Sequence, residues 1–181
     1  MGYEMMTSNS CITAKCPCPM KFFSRYFYKR MQITLGVLLL FSVFSTVSSN
    51  AQEQFEKDNL VIFSASGQAH KFKVELAVSP KQRSLGLMYR KTMPRDAGML
   101  FTYETENNVM MWMKNTDLPL DMLFLNTAGK IVYIQENTTP HSTKTISSGQ
   151  NVIGVLELNA GTVFQLGIKI GDIVHHRSLQ K

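Results

Sequence analysis

Between residues 60 and 174 the apolar residues come in short runs, each closed by Gly, Pro, Asn, Asp or Ser. Runs of that length suit strands and are too short for the helices of a bundle. Phe72, Val74, Leu76 and Val78 alternate with Lys71, Lys73, Glu75 and Ala77, the period of a half-buried strand. Residues 99–103, 120–125, 131–136 and 152–158 read as further strands, and 109–113, apolar throughout, as a strand buried on both faces. Asn126-Thr127-Ala128-Gly129-Lys130 is a hairpin loop in which Gly129 supplies a positive φ. Ser79-Pro80-Lys81-Gln82 is a helix start: Ser79 caps, Pro80 suits the opening position and Gln82 completes a capping box, with the helix running to about Leu87 or Met88. Thr162 is expected to cap one further helical turn that ends at Gly167. Residues 137–150, polar and carrying Pro140, Ser147, Ser148 and Gly149, read as a long surface loop. The expected fold is mainly β, a single-domain sandwich or barrel with one or two short helices.

This domain is expected to stand behind an N-terminal signal segment. Lys29 and Arg30 precede an uncharged apolar stretch, 33–47, and Ser49-Asn50-Ala51 places small residues where a signal peptidase reads them. The stretch is short for a membrane span, which needs about 20 apolar residues. Residues 1–51 are therefore expected to be a signal peptide with its start placed too far upstream, 52–59 a short flexible tether, and 60–177 the β domain. The expected location is the periplasm or the medium, reached through the export machinery and signal peptidase. The alternative is a membrane anchor formed by a retained 33–47.

The leader alters the composition. It carries all three cysteines, Cys11, Cys16 and Cys18, so the remainder must rely on its core rather than on disulfides. It also takes Lys15, Lys21, Arg25, Lys29, Arg30 and Glu4, which leaves 14 basic and 12 acidic residues and lowers the net charge from +6 to +2. That balance, with no basic stripe, argues against nucleic acid as a partner.

Three stretches carry a family resemblance: Gly86-Leu87-Met88-Tyr89-Arg90 leading to Gly98-Met99-Leu100-Phe101; Trp112-Met113-Lys114-Asn115-Thr116 with Leu118-Pro119-Leu120-Asp121; and Val155-Leu156-Glu157-Leu158 with Ala160-Gly161 and Gly171-Asp172. Together they resemble the family called domain of unknown function 192, over about residues 71–174. The resemblance implies a compact β domain of jelly-roll type, often behind an export signal, and no established activity. Family members often carry an aromatic residue where Met111 stands here.

The leading candidate site is the polar knot after Trp112. Lys114 offers three donors, Asn115 both donors and acceptors, and Asp117 and Asp121 accept, while Trp112 supplies a flat apolar wall. Trp112, Lys114, Asn115 and Asp121 are expected to converge, with Asp121 paired to Lys114, and together with Asp117 to bind a small polar or anionic ligand. The competing account makes Asn115 and Asp117 turn formers, Lys114–Asp121 a brace, and the protein a non-catalytic envelope interaction protein.

Other constellations are weaker. Met88, Met93, Met99, Met110, Met111, Met113 and Met122 could hold Cu(I) through thioethers with His70, His141, His175 or His176, but core packing accounts for methionine as well. The expectation is no metal and no cofactor, and His175-His176 is expected to be solvated. Ser84, Ser142, Ser147 and His141 lack a nucleophile elbow, and no cysteine remains as a nucleophile. Glu157 and Asp172 are read as solvated loop carboxylates rather than a glycosidase pair. No catalytic residue is assigned, and a hydrolase is the remote third reading. Arg83, Arg90, Lys91 and Arg95 read as a solvated basic face, with a contact to an anionic ligand or lipid headgroup as the alternative.

Overall fold

The computed structural model describes residues 53–179, and residues 1–51, expected to be a signal peptide, lie outside the described residues. Seven strands form one sheet: β1 (Glu56–Phe63), β2 (Ala69–Ala77), β3 (Ala97–Asn107), β4 (Leu120–Leu125), β5 (Ile131–Gln135), β6 (Val152–Asn159) and β7 (Ile173–His175). Two short helices, α1 (Pro80–Leu85) and α2 (Thr162–Leu166), and a 3-10 turn (Arg177–Leu179) complete the described chain. The sheet order is β5-β4-β6-β3-β2-β1-β7, with β2 and β3 parallel and the other neighbours antiparallel.

The two edges of this sheet approach each other. Lys130 and Ile173 form an antiparallel bridge, Ile131 N–H donates to Asp172 O at 2.9 Å, and Val174 N–H donates to Gly129 O at 2.8 Å. The sheet is thus a nearly closed barrel, which removes most of its free edge. Every strand contributes to one buried cluster, including Ile62, Val74, Leu100, Leu123, Ile131, Leu156 and Val174, and this cluster fills the interior. A second cluster, with Met99, Phe101, Met122, Phe124 and Val155, lies on the outer face of β3, β4 and β6 beneath Leu87, Val109 and Met113. Covering on both sides explains why all six residues of β4 are buried.

The expected start of α1 holds, whereas its expected end at about Leu87 or Met88 does not. The Ser79 side chain accepts Gln82 N–H at 3.1 Å, and Gln82 Oε1 accepts Ser79 N–H at 3.0 Å, a complete capping box. The helix ends at Leu85, because Gly86 takes a positive φ of 49° and its close approach to Phe101 leaves little room for a side chain. β2 stops at Ala77, so Val78, expected to be buried with its strand, is half exposed. β1 begins at Glu56, inside the stretch expected as a tether, because Glu56–Asn59 pair with β2. Gly161, in the left-handed region, stands at the cap of α2, a place expected for Thr162.

The larger correction concerns residues 109–113. They form no strand in the sheet and are not buried on both faces: Val109 and Met113 are buried, whereas Met110 and Trp112 are 72% and 52% exposed. The reason is pairing. Met111 exchanges two 2.9 Å backbone hydrogen bonds with Ile146 of a loop, and Met113 N–H donates to Ser142 O. The segment therefore lies over the outer face of the sheet instead of within it.

Candidate functional site

Strand alternation selects the side chains of the site. On β6, Leu156 and Leu158 point into the barrel, so Glu157 points to the outer face. It lies opposite Met99 on β3 and Met122 on β4, both fully buried. Glu157 is itself 4% exposed, and burial pushes its carboxyl up to about 8. At neutral pH it is a neutral carboxylic acid, able to donate one hydrogen bond and accept others.

The cover over this face is incomplete. Between α1, the turn after it and residues 110–112 lies a cavity of about 330 Å³ that reaches Glu157. Leu87, Met88, Phe101, Met110, Met111 and Trp112 supply apolar wall, and Arg83, Ser84, Tyr103, Thr116 and Glu157 bring polar groups to it. Arg83 Nη1 donates to the carbonyls of Val78 and, at 3.1 Å, Thr102, and its guanidinium carbon stands 4.9 Å from the centroid of the Tyr103 ring. Burial raises the Tyr103 hydroxyl above its ordinary range, with Arg83 opposing the shift and Glu157 adding to it.

Two left-handed residues fix the rim. Tyr89 has φ 64° and Asn115 φ 57°. Tyr89 N–H donates to Asn115 O at 2.9 Å, and Asn115 Nδ2 donates to Tyr89 Oη at 3.0 Å. Asn adopts this conformation readily, while for Tyr it stores strain. The exchange ties the chain after α1 to the chain after Trp112, so the two walls are held together.

Of the five expected site residues, Trp112, Lys114 and Asn115 lie at or beside this rim. Trp112 lines the cavity, and Lys114 Nζ sits 5.8 Å over its indole. Asn115 Nδ2 lies 3.9 Å from the sulfur of Met88, a wall residue. Asp117 pairs with Lys91 at 3.1 Å and His141 at 3.2 Å. Asp121 does not join them, and the expected ion pair with Lys114 is absent. Asp121 is fully buried on β4, where Oδ1 accepts Asn137 N–H at 2.9 Å and Oδ2 accepts Val163 N–H at 3.0 Å. Two backbone amides already satisfy it, so no cation is required.

The carboxylates expected to be solvated are buried. Asp172 is 3% exposed and accepts the amides of Ala65 and Lys169 at 2.9 and 2.8 Å, a structural role. Glu157 is the residue the sequence reading misses. Its signal is a lone carboxylate inside the apolar run Val152–Asn159. His176, expected to be solvated, is also buried, with Nε2 3.2 Å from Asp58, and burial holds its imidazole below the usual histidine range. Within the basic segment, Arg90 forks onto Glu75 at 2.9 and 2.5 Å and its chemistry is spent there. Met99, Met113 and Met122 are core, whereas Met88, Met110 and Met111 line the cavity. Among the described residues no three His, Cys, Asp or Glu side chains gather as a metal site, and no helix is long and apolar enough to cross a membrane.

Comparisons with known proteins agree on the fold. A crystal structure from Sinorhizobium meliloti 1021, of a provisionally assigned transcription regulator, is 51% identical, with a TM-score of 0.67 over 68% of this chain and 96% of that one. A protein of unknown function from Novosphingobium aromaticivorans DSM 12444 is 30% identical, with a TM-score of 0.65 over 72% of this chain and 89% of that one. No curated protein matches. The family profile described as uncharacterized ACR matches residues 61–176, and this chain belongs to that family, domain of unknown function 192.

Proposed function

We propose that this domain is a small-ligand-binding module, and that its site is the cavity between α1 and residues 110–112. The observation that carries the reading is Glu157. Keeping a carboxyl group in an apolar wall costs stability, and such groups are retained chiefly where function uses them. A perturbed acid at the base of a concave, mostly apolar site is the usual mark of a functional pocket. Three methionines in the wall suit a surface that adapts to its occupant. The reading keeps Trp112 and Lys114 from the sequence expectation and replaces Asp121 with Glu157, Arg83 and Tyr103.

The chain holds a single tryptophan, Trp112, so its fluorescence reports occupancy directly. A screen of small acids, amides and amines should shift both that emission and the melting temperature, since a ligand of the folded state stabilises it. Trp112→Ala should abolish the thermal response with little change in the unliganded melting temperature. Absence of any response across the screen would reject the module.

A duplex-binding regulator is less well supported. Lys81, Arg90, Lys91 and Arg177 are engaged by Glu53, Glu75, Asp117 and Glu56, which argues against a phosphate-tracking stripe. The proposed location is the periplasm or the medium, on the strength of the leader pattern, with the mature chain starting at Gln52. Sequencing the amino terminus of the protein from those fractions tests this, and a full-length cytoplasmic chain would overturn it.

A further inference from the structure

The charge of the cavity is one-sided. Among its lining side chains Arg83 is the fixed charge and Glu157 the carboxyl group. Lys114, over the Trp112 ring, adds a second cation at the rim. Tyr103, whose ring faces the Arg83 guanidinium, also lines the cavity and carries no charge at neutral pH. The other acids of this face and rim are already opposed. Glu75, one strand beyond Met99 in the same cross-strand row, is held by Arg90. Asp117 is held by Lys91 and His141. Met99 and Met122 flank Glu157 and carry no charge.

An anion entering this space meets Arg83, Lys114 at the rim and the O–H group of Glu157. An ammonium ion would meet Arg83 and Lys114 with the same sign. The volume, about 330 Å³, is at the small end for ligand sites. Resting on the reading of this cavity as a ligand site, we propose that it takes a small monocarboxylate with an apolar body, whose carboxylate accepts a hydrogen bond from the protonated Glu157 carboxyl and whose body packs on Trp112, Met110 and Met111. A carboxylic acid facing a carboxylate shares one proton between two oxygens, a short and strong arrangement in a dry site. Ionised Glu157 would instead repel the ligand. Binding therefore requires the Glu157 proton, and the cavity selects a carboxylate over its amine analogue by charge and over its amide by the strength of that shared bond.

The test uses the purified protein, Trp112 emission and calorimetry, with hexanoate and phenylacetate as probes beside their amides and amines. Both acids stay ionised throughout the range used. The carboxylates should bind best, and their affinity should fall about tenfold between about pH 7 and about pH 9, as Glu157 loses its proton. In Glu157→Gln, which keeps a donor but cannot ionise, that fall should vanish while binding persists. Lys114→Met, at an exposed position, should weaken carboxylates several-fold and make their binding less sensitive to salt. Amines that bind more tightly as pH rises would overturn the proposal and leave the ligand-binding reading standing, with Glu157 as a counter-ion. Carboxylate binding that is flat with pH in the unaltered protein would also overturn it. Silence of all the probes would remove both readings together.

Discussion

The Asp121 carboxylate on β4 accepts the backbone N–H of Val163, in the opening turn of α2, at 3.0 Å. Its other oxygen takes Asn137 N–H, so one buried side chain fastens both the loop after β5 and α2 to the end of β4. Asp121→Ala should leave two amides unpaired and cost about 2–4 kcal/mol in urea unfolding. Because Lys114 is not its partner, a double-mutant cycle of Lys114→Met with Asp121→Ala should show a coupling energy near zero. A coupling above about 1 kcal/mol would restore the brace expected from sequence.

Glu157 makes stability depend on pH in an unusual direction. Its folded-state pKa is raised from 4.5 to about 8, so the native state holds this proton more tightly than the unfolded chain. The Glu157 contribution is therefore largest at the acid end of the window. That contribution should fall as pH rises from about 4.5 toward about 8, by up to roughly 1.4 kcal/mol per unit, and then level off. The difference between wild type and Glu157→Gln isolates it from the opposite contributions of His176, Asp58 and Glu75. Glu157→Gln should remove that slope and be the more stable protein at about pH 8 in denaturant titrations. A wild-type curve no steeper than that of Glu157→Gln would show that the carboxyl ionises freely.

Ser79 and Gln82 cap α1, the helix that presents Arg83 to the cavity. Ser79→Ala should cost about 1 kcal/mol. It should also loosen the cavity wall and weaken ligand binding more than stability alone would explain. Ser79→Asp, which can still accept the Gln82 amide, should restore most of both.

Closure of the barrel depends on Gly129. Its φ is 70°, and a Cβ there would collide with the carbonyl oxygen of Val174, the strand it joins. Gly129→Ala should therefore destabilise by about 2 kcal/mol or more, from backbone strain plus separation of β7. Faster amide exchange at Val174 than at Leu123 would place the opening at that seam.

Periodicity and turn chemistry are local properties, and they carried most of the architecture. The alternation at Phe72, Val74 and Leu76, the box at Ser79 and Gln82, and the turn at Gly129 are each dictated within a few residues, and each appears where its residues place it. The apolar run at 109–113 resembles a strand by the same local criteria, yet whether a segment joins a sheet depends on a partner strand, which composition does not contain. Burial of charge follows the same logic. Asp121, Glu157 and Asp172 are all carboxylates beside apolar residues in the sequence, but distant chain decides their roles: the amides of Asn137 and Val163 for the first, the buried methionines of β3 and β4 for the second, and the amides of Ala65 and Lys169 for the third. The amino-acid sequence by itself determined that residues 60–174 would form a β domain of its family, with no cysteine in it, because strand period and turn preference act over neighbouring residues. Only the tertiary structure decided that Glu157 is its unusual acid, because desolvation is set by what packs across the sheet.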